Sequence, residues 1–184
     1  DNYTGDLYIR NTADDKDISF RCDDGSGGTT EYFRLDGSST QTIFSKNQQH
    51  ADNVTTYYGN AGDLSIYHDG SNSYIKHVSG ATGDLIIEQG VDDKDIILKS
   101  DDGSGGTTAY ITLDGSNAFT QIHKDFYFLD SVKSYFGSDG DSYIRHTGSN
   151  FDIINSTGNI NITNNTDDGD IIFNSDDGSG GVTE

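Results

Sequence analysis

Apolar and polar residues alternate along almost the whole chain. Leu7 and Ile9 fall on one side and Tyr8 and Arg10 on the other. Ile18, Phe20 and Cys22 oppose Ser19 and Arg21, and Phe33 and Leu35 oppose Tyr32 and Arg34. The pattern continues with Leu64, Ile66 and His68 against Ser65 and Tyr67, and with Leu85 and Ile87 against Ile86 and Glu88. The pairs Ile96/Leu98, Ile111/Leu113, Ile160/Ile162 and Ile171/Phe173 extend it. A period of two places successive side chains on opposite faces of a strand. Strand starts recur roughly every 10 or 11 residues, a spacing typical of all-β chains. The intervals carry Asp-Gly turns at Asp36-Gly37, Asp69-Gly70, Asp114-Gly115 and Asp139-Gly140. No long window shows a helical stripe, so the chain reads as all-β.

These strands belong to an internal repeat. Asp23-Asp24-Gly25-Ser26-Gly27-Gly28 returns after 78 residues at 101–106 and after a further 75 at 176–181. Asp14-Asp15-Lys16-Asp17-Ile18 matches Asp92-Asp93-Lys94-Asp95-Ile96, and Leu35-Asp36-Gly37-Ser38 matches Leu113-Asp114-Gly115-Ser116. Tyr57-Tyr58-Gly59 matches Tyr135-Phe136-Gly137. Tyr74-Ile75-Lys76-His77 resembles Tyr143-Ile144-Arg145-His146 at a spacing of only 69. The expected organisation is a first repeat over 4–81, a second over 82–156 shortened near 137–141, and the start of a third over 157–184. The third copy ends in the middle of a motif, and the chain contains no Met. Both features suggest a piece of a longer repetitive polypeptide.

Composition narrows the architecture. The chain has a formal charge of −20, 23 Gly and no Pro, and only 31% of its residues are hydrophobic. So little apolar material resembles a disordered chain, but 20 aromatic residues and regular alternation argue for order. Each strand offers an apolar face only two or three residues wide. Three chains pooling such faces around an axis need less from each than one chain enclosing its own core. The expected architecture is therefore an elongated repetitive fibre, a trimeric β-prism or triple β-helix, with a single-chain β-solenoid as the alternative. The acidic balance excludes nucleic acid as a partner, because phosphate recognition needs clustered Lys and Arg. No apolar run is long enough to insert in a membrane. Cys22, with Ser100 and Ser175 at the matching positions, reads as a small side chain filling a small place.

The stretch Gly62-Asp63-Leu64-Ser65-Ile66-Tyr67-His68-Asp69-Gly70-Ser71-Asn72-Ser73-Tyr74-Ile75 resembles a repeat of phage tail-fibre and related virion proteins, frequent among marine phages. Thr4-Gly5-Asp6-Leu7-Tyr8-Ile9-Arg10-Asn11 belongs to the same vocabulary, as does the Ser-Asp-Asp-Gly-Ser-Gly-Gly-Thr-Thr run over 100–108. The resemblance covers nearly the whole chain. It implies a homotrimeric, non-enzymatic shaft or adhesin on an extracellular virion, positioning a receptor-binding tip for host attachment. The competing reading is a calcium-binding β-solenoid of a secreted bacterial adhesin.

Four groups of residues are candidates for chemistry. Asp23, Asp24, Asp101, Asp102, Asp176 and Asp177 lie in oxygen-rich loops that suit Ca²⁺. The bland reading is a solvated turn, with Gly supplying positive φ and Asp supplying local hydrogen bonds. His68, His77 and His146 fall in phase with apolar neighbours, and three copies around an axis would form a metal site. Their bland reading is a strand-end residue bonded to backbone or water. Tyr8, Tyr32, Tyr67, Tyr74 and Tyr143 fall on the polar side, where aromatic rings can stack on sugars of a host-surface glycan or on each other. Paired carboxylates are the last candidate. Only three residues are Glu (Glu31, Glu88, Glu184), and none lies in an irregular insertion that could form a cleft. The acids repeat with the strands, which points to structure, and no enzymatic activity or required cofactor is expected.

Overall fold

A computed structural model of the chain describes residues 5–176, 178, 179 and 181–183. It is all-β: every element among the described residues is a strand. No helix there is long and apolar enough to cross a membrane. The chain divides into two compact units, 1–87 and 88–184.

The first unit holds two antiparallel sheets of three strands each. One runs β1 (Ile18–Asp23), β2 (Thr29–Asp36) and β3 (Gln41–Phe44). The other runs β4 (Thr56–Tyr58), β5 (Leu64–His68) and β6 (Ser73–His77). The second unit repeats both. β7 (Ile96–Asp101), β8 (Thr107–Asp114) and β9 (Phe119–Ile122) form one sheet. β10 (Ser134–Phe136), β11 (Ser142–His146) and β12 (Phe151–Asn155) form the next. β13 (Ser175–Asp176) and β14 (Val182–Thr183) begin a further hairpin.

Strand register identifies equivalent residues more securely than local identity does. Ile18↔Leu35 and Phe20↔Phe33 recur as Ile96↔Leu113 and Leu98↔Ile111. Both hairpins then skip one residue, Tyr32 or Tyr110, so the same β-bulge occurs in each. The hydroxyl of each bulged tyrosine donates back to the strand before it, Tyr32 to the Asp23 carbonyl at 3.2 Å and Tyr110 to the Asp101 carbonyl at 3.1 Å. In the following sheets, Ile66↔Ile75 recurs as Ile144↔Ile153. Every one of the first six strands thus has its counterpart 78 residues on. His146 matches His68 rather than His77, and Ser142–His146 occupies the place of Leu64–His68. This corrects the expected shortening near 137–141. The loss is of three residues, Ser79, Gly80 and Ala81. They follow Val78, whose N–H donates to the Asp63 carbonyl as that of Ser156 does to the Asp141 carbonyl.

Four alternating segments form no strand. Residues 6–10, 85–88, 160–162 and 171–173 match the strand pattern but lie outside every sheet. Leu7 is 77% exposed and Ile86 76%. Ile171 and Phe173 match Ile18 and Phe20, whose partners are Leu35 and Phe33.

Among the described residues no hydrophobic side chain is buried. The buried residues are Ser65 and Thr112, both in middle strands and flanked by longer side chains. The apolar sides of the sheets form ladders that remain uncovered. Phe20, Phe33 and Phe44 stack across β1, β2 and β3, with ring centroids 4.3 and 5.8 Å apart. Leu98, Ile111 and Ile122 occupy the same places in the second unit. The accessible surface is 15479 Å². Two compact units of half the 19.9 kDa mass would together expose only about 10,400 Å² by the usual mass scaling. Cys22 is exposed, so it does not fill a small buried place as expected.

Candidate functional site

The acidic loops are closed on themselves. Asp24 Oδ1 accepts from the Ser26 N–H at 2.8 Å, the Ser26 hydroxyl at 2.8 Å and the Gly28 N–H at 3.0 Å. Asp102 Oδ1 repeats this with the Ser104 N–H and hydroxyl and the Gly106 N–H. Asp23, Asp101 and Asp176 each accept from the N–H two residues on, in Gly25, Gly103 and Gly178. The backbone donor of Ser26, reinforced by its hydroxyl and by Gly28, holds the Asp24 carboxyl below its ordinary range. Ser104 and Gly106 do the same for Asp102. The carboxylates are therefore engaged by their own turns. Among the described residues, no three His, Cys, Asp or Glu side chains converge as a metal would require. Asp177 lies outside the described residues.

The histidines have separate neighbours. His68 Nδ1 is 3.1 Å from the Ser73 hydroxyl. His146 Nδ1 is 2.8 Å from Asp130 Oδ1. His77 stands opposite Leu64 at the end of β6.

The five tyrosines do not form one row. Tyr67 and Tyr74 pair directly across β5 and β6 and stack at 4.8 Å, and the Tyr74 hydroxyl donates to Asp69 at 3.0 Å. Tyr143 meets Tyr135 edge-on at 5.5 Å, under the Lys133 ammonium at 4.1 Å. Tyr32 is the bulge residue described above. Tyr8 is 82% exposed and bonds to Asp6. Tyr67, Tyr74 and Tyr143 are half-buried rather than free, so cross-strand packing accounts for them.

The alternation pattern did not single out two features. The first is a polar network on β2. Glu31 accepts from the hydroxyls of Ser19 and Ser45, each at 2.8 Å, and from Arg34 at 2.9 Å. Arg34 also reaches Asp36 at 3.1 Å and Asp17 at 3.3 Å. The second is the exposed run Phe126-Tyr127-Phe128-Leu129. Aligning the units at the observed spacing of 78 would have shown it, because the matching residues are Gln48-Gln49-His50-Ala51.

Comparison with protein-family models, with curated proteins and with solved structures finds no match to the chain. Functional reasoning therefore rests on the chain's own geometry. That geometry offers uncovered apolar ladders and sheets with two free edges, rather than a convergent set of reactive groups.

Proposed function

We propose that the chain is a structural segment of a homotrimeric fibre of the phage tail-fibre kind, extracellular on a virion. Its role is mechanical: it spaces and orients a receptor-binding tip for host attachment. One observation carries this reading: among the described residues of a regularly hydrogen-bonded chain, no apolar side chain is buried. Burial of apolar surface is the main drive for folding, at roughly 25 cal/mol per Å². A chain that leaves its Phe and Ile ladders half-exposed has not yet realised that stabilisation. Copies of itself are the partner always present at matching register. The excess over two compact units of half the mass is about 5,000 Å² per chain by the same mass scaling. Obligate interfaces are of this order, roughly 2,000–5,000 Å² and above.

Free strand edges support the same assembly. The outer strands of each three-stranded sheet present an unpaired side, which natural proteins normally cover. The alternating segments 7–10, 85–88 and 160–162 are strand-like in sequence but belong to no sheet. Each is suited to pair with, or lie against, another copy.

The test is molar mass in solution by light scattering, with and without EDTA. A mass near three times 19.9 kDa, unchanged by the chelator, is expected. A stable monomer would overturn the proposal. A monomer that unfolds when calcium is removed would favour the calcium-binding solenoid instead.

A further inference from the structure

The two units act as a control for each other at the loop before β10. In the first unit, the Val54 N–H donates to the Ala51 carbonyl at 3.1 Å, and Asn53 (φ 65) donates to the His68 carbonyl at 2.8 Å. In the second, Val132 donates to Leu129 at 3.1 Å, and Ser131 (φ 67) to His146 at 2.6 Å. The loop geometry is the same, but the side chains are not. Polar Gln48, Gln49 and His50 give way to Phe126, Tyr127 and Phe128. Since the polar sequence supports this turn, the aromatic one is not needed to make it.

A second change accompanies the first. Phe151 opens β12 where Ser73 opens β6. Phe128 and Phe151 both line a cleft of about 310 Å³, with Ser134, Ile144, Arg145 and His146. Two positions that are polar in the first unit have thus become aromatic together, on one cavity. Phe128 is steadied by an edge-on contact with Phe126 at 4.8 Å. We propose that this cleft is a binding site for a neutral saccharide.

Each part of the cleft selects for that chemistry. A pyranose ring has a C–H face that lies well on a phenyl ring and hydroxyls at its rim. The volume is at the small end of ligand pockets, roughly 300–1,000 Å³, and suits one sugar ring rather than a larger ligand. The Ser134 hydroxyl and the His146 ring, on the same face as Ile144 and Phe151, can exchange hydrogen bonds with hydroxyls. The Arg145 charge is already matched by Asp152 at 2.9 Å, and His146 Nδ1 lies 2.8 Å from Asp130 Oδ1. An anionic ligand would find no unpaired Arg or Lys among the residues lining the cleft and would face the chain's net charge of −20. A second copy of the chain is a poorer occupant. If copies met at this position of the repeat, the first unit would have to bury Gln48, Gln49 and His50, at a cost for each unpaired polar group. These three are exposed. The inference concerns the second unit alone and does not depend on the trimer.

The experiment uses the whole 184-residue chain and a panel of neutral oligosaccharides built on glucose, galactose, mannose and N-acetylglucosamine. Saturation-transfer NMR and amide shift mapping at millimolar sugar read the binding. At least one neutral sugar should bind saturably, with shifts centred on Phe128, Ile144 and Phe151. The paired substitution Phe128→His with Phe151→Ser writes the first unit's residues into the second, which the fold already accommodates. It should weaken binding at least tenfold and leave molar mass and melting temperature unchanged. Phe126→Gln with Tyr127→Gln, also first-unit residues, should weaken it less. The proposal fails if no neutral sugar binds, if an acidic sugar binds in preference, or if the paired variant binds as well as the parent. It also fails if that variant changes the molar mass, which would make the cleft a contact between chains.

Discussion

Arg34 Nη1 lies 2.9 Å from Glu31 Oε1, on the half-buried side of β2. The hydroxyl of Ser19, then that of Ser45, then Arg34 pull the Glu31 carboxyl down from 4.5 to about 2. Asp36 is lowered too, chiefly by the Ser39 N–H. A depressed folded-state pKa stabilises the fold above the unfolded value, and that contribution is lost as pH falls through the folded one. The first unit should therefore melt at lower temperature between about pH 4.5 and pH 2. Glu31→Gln should be less stable at pH 7 and show a shallower fall across that window. Thermal melts read by circular dichroism check both. A Glu31→Gln variant with the parent's full acid dependence would mean that Glu31 has no part in it.

The phenylalanine ladder gives a prediction in which magnitude separates two states. Phe33 stacks on Phe20 on one side and Phe44 on the other. In an isolated chain Phe33→Ala should cost about 1–2 kcal/mol, the sum of two cross-strand pairs of up to 1 kcal/mol each. If other copies cover the ladder, the ring is a core residue and the cost rises to roughly 3–5 kcal/mol. Chemical denaturation of Phe33→Ala and Ile111→Ala reads the difference. Values in the upper range are expected at concentrations where the assembly forms.

The strands around the Asp-Gly turns were legible in the sequence because alternation and turn chemistry coincide there. Leu35 and Phe33 alternate, Asp36-Gly37 turns the chain, and β2 and β3 result. Alternation alone was not enough at Leu7 and Ile9. A strand also requires hydrogen-bond partners, and the pattern of one segment does not show whether its partner lies in the same chain. The repeat was legible, but its alignment was not. Tyr74-Ile75-Lys76-His77 and Tyr143-Ile144-Arg145-His146 look alike, yet Ile75 is an edge-strand residue and Ile144 a middle-strand one. The acidic loops were legible as turns because Asp and Gly act locally. The Phe128–Phe151 cleft was not, because it depends on two residues 23 positions apart whose importance appears only against their counterparts in the first unit.

Two glycines brace the repeat by close approach. The Gly37 N–H donates to Asp17 at 3.1 Å and that of Gly115 to Asp95 at 3.0 Å, tying two turns together. A Cβ at Gly37 would meet the Lys16 carbonyl oxygen, and one at Gly115 the Lys94 carbonyl oxygen, inside contact distance. Backbone cannot yield as a flexible side chain does. Gly115→Ala should destabilise the second unit by about 1–3 kcal/mol, the range for forced overpacking. Thr40 and Ala118 present the opposite case, with φ of 54 and 55. The left-handed conformation costs an ordinary residue about 1–2 kcal/mol. Thr40→Gly and Ala118→Gly should each gain up to about 1 kcal/mol, after the larger chain entropy that glycine loses. Urea titrations of the three variants should place them on opposite sides of the parent.

Asp102 provides a test of the acidic loops. Its Oδ1 is used by three local donors. Asp102→Asn keeps an oxygen in that place and should leave the hairpin formed, whereas Asp102→Ala should loosen it. Calcium at millimolar concentration should leave the parent's melting temperature unchanged within error. A rise with calcium in the parent that Asp102→Asn abolishes would show that the loop carboxylates bind the ion.

The alternating segments that belong to no sheet make the sharpest prediction about assembly. Ile86 and Ile87 are 76% and 71% exposed and belong to no strand, although their repeat neighbours Ile96 and Leu98 pair in β7. An amide without a hydrogen-bond partner exchanges with solvent freely, and one inside a ladder is protected. In a trimer that uses these segments, amides over 85–88 and 7–10 should exchange slowly, at rates near those of β7 and β8. Ile86→Pro removes one such donor and should speed exchange across 85–88 and lower the midpoint of trimer dissociation. Hydrogen exchange read by mass spectrometry, at concentrations above and below that midpoint, distinguishes the outcomes. Protection that appears only in the assembled form assigns the pairing to contacts between chains. A trimer whose 85–88 amides still exchange freely would show that the chains meet through their ladders alone, with these segments left at the surface.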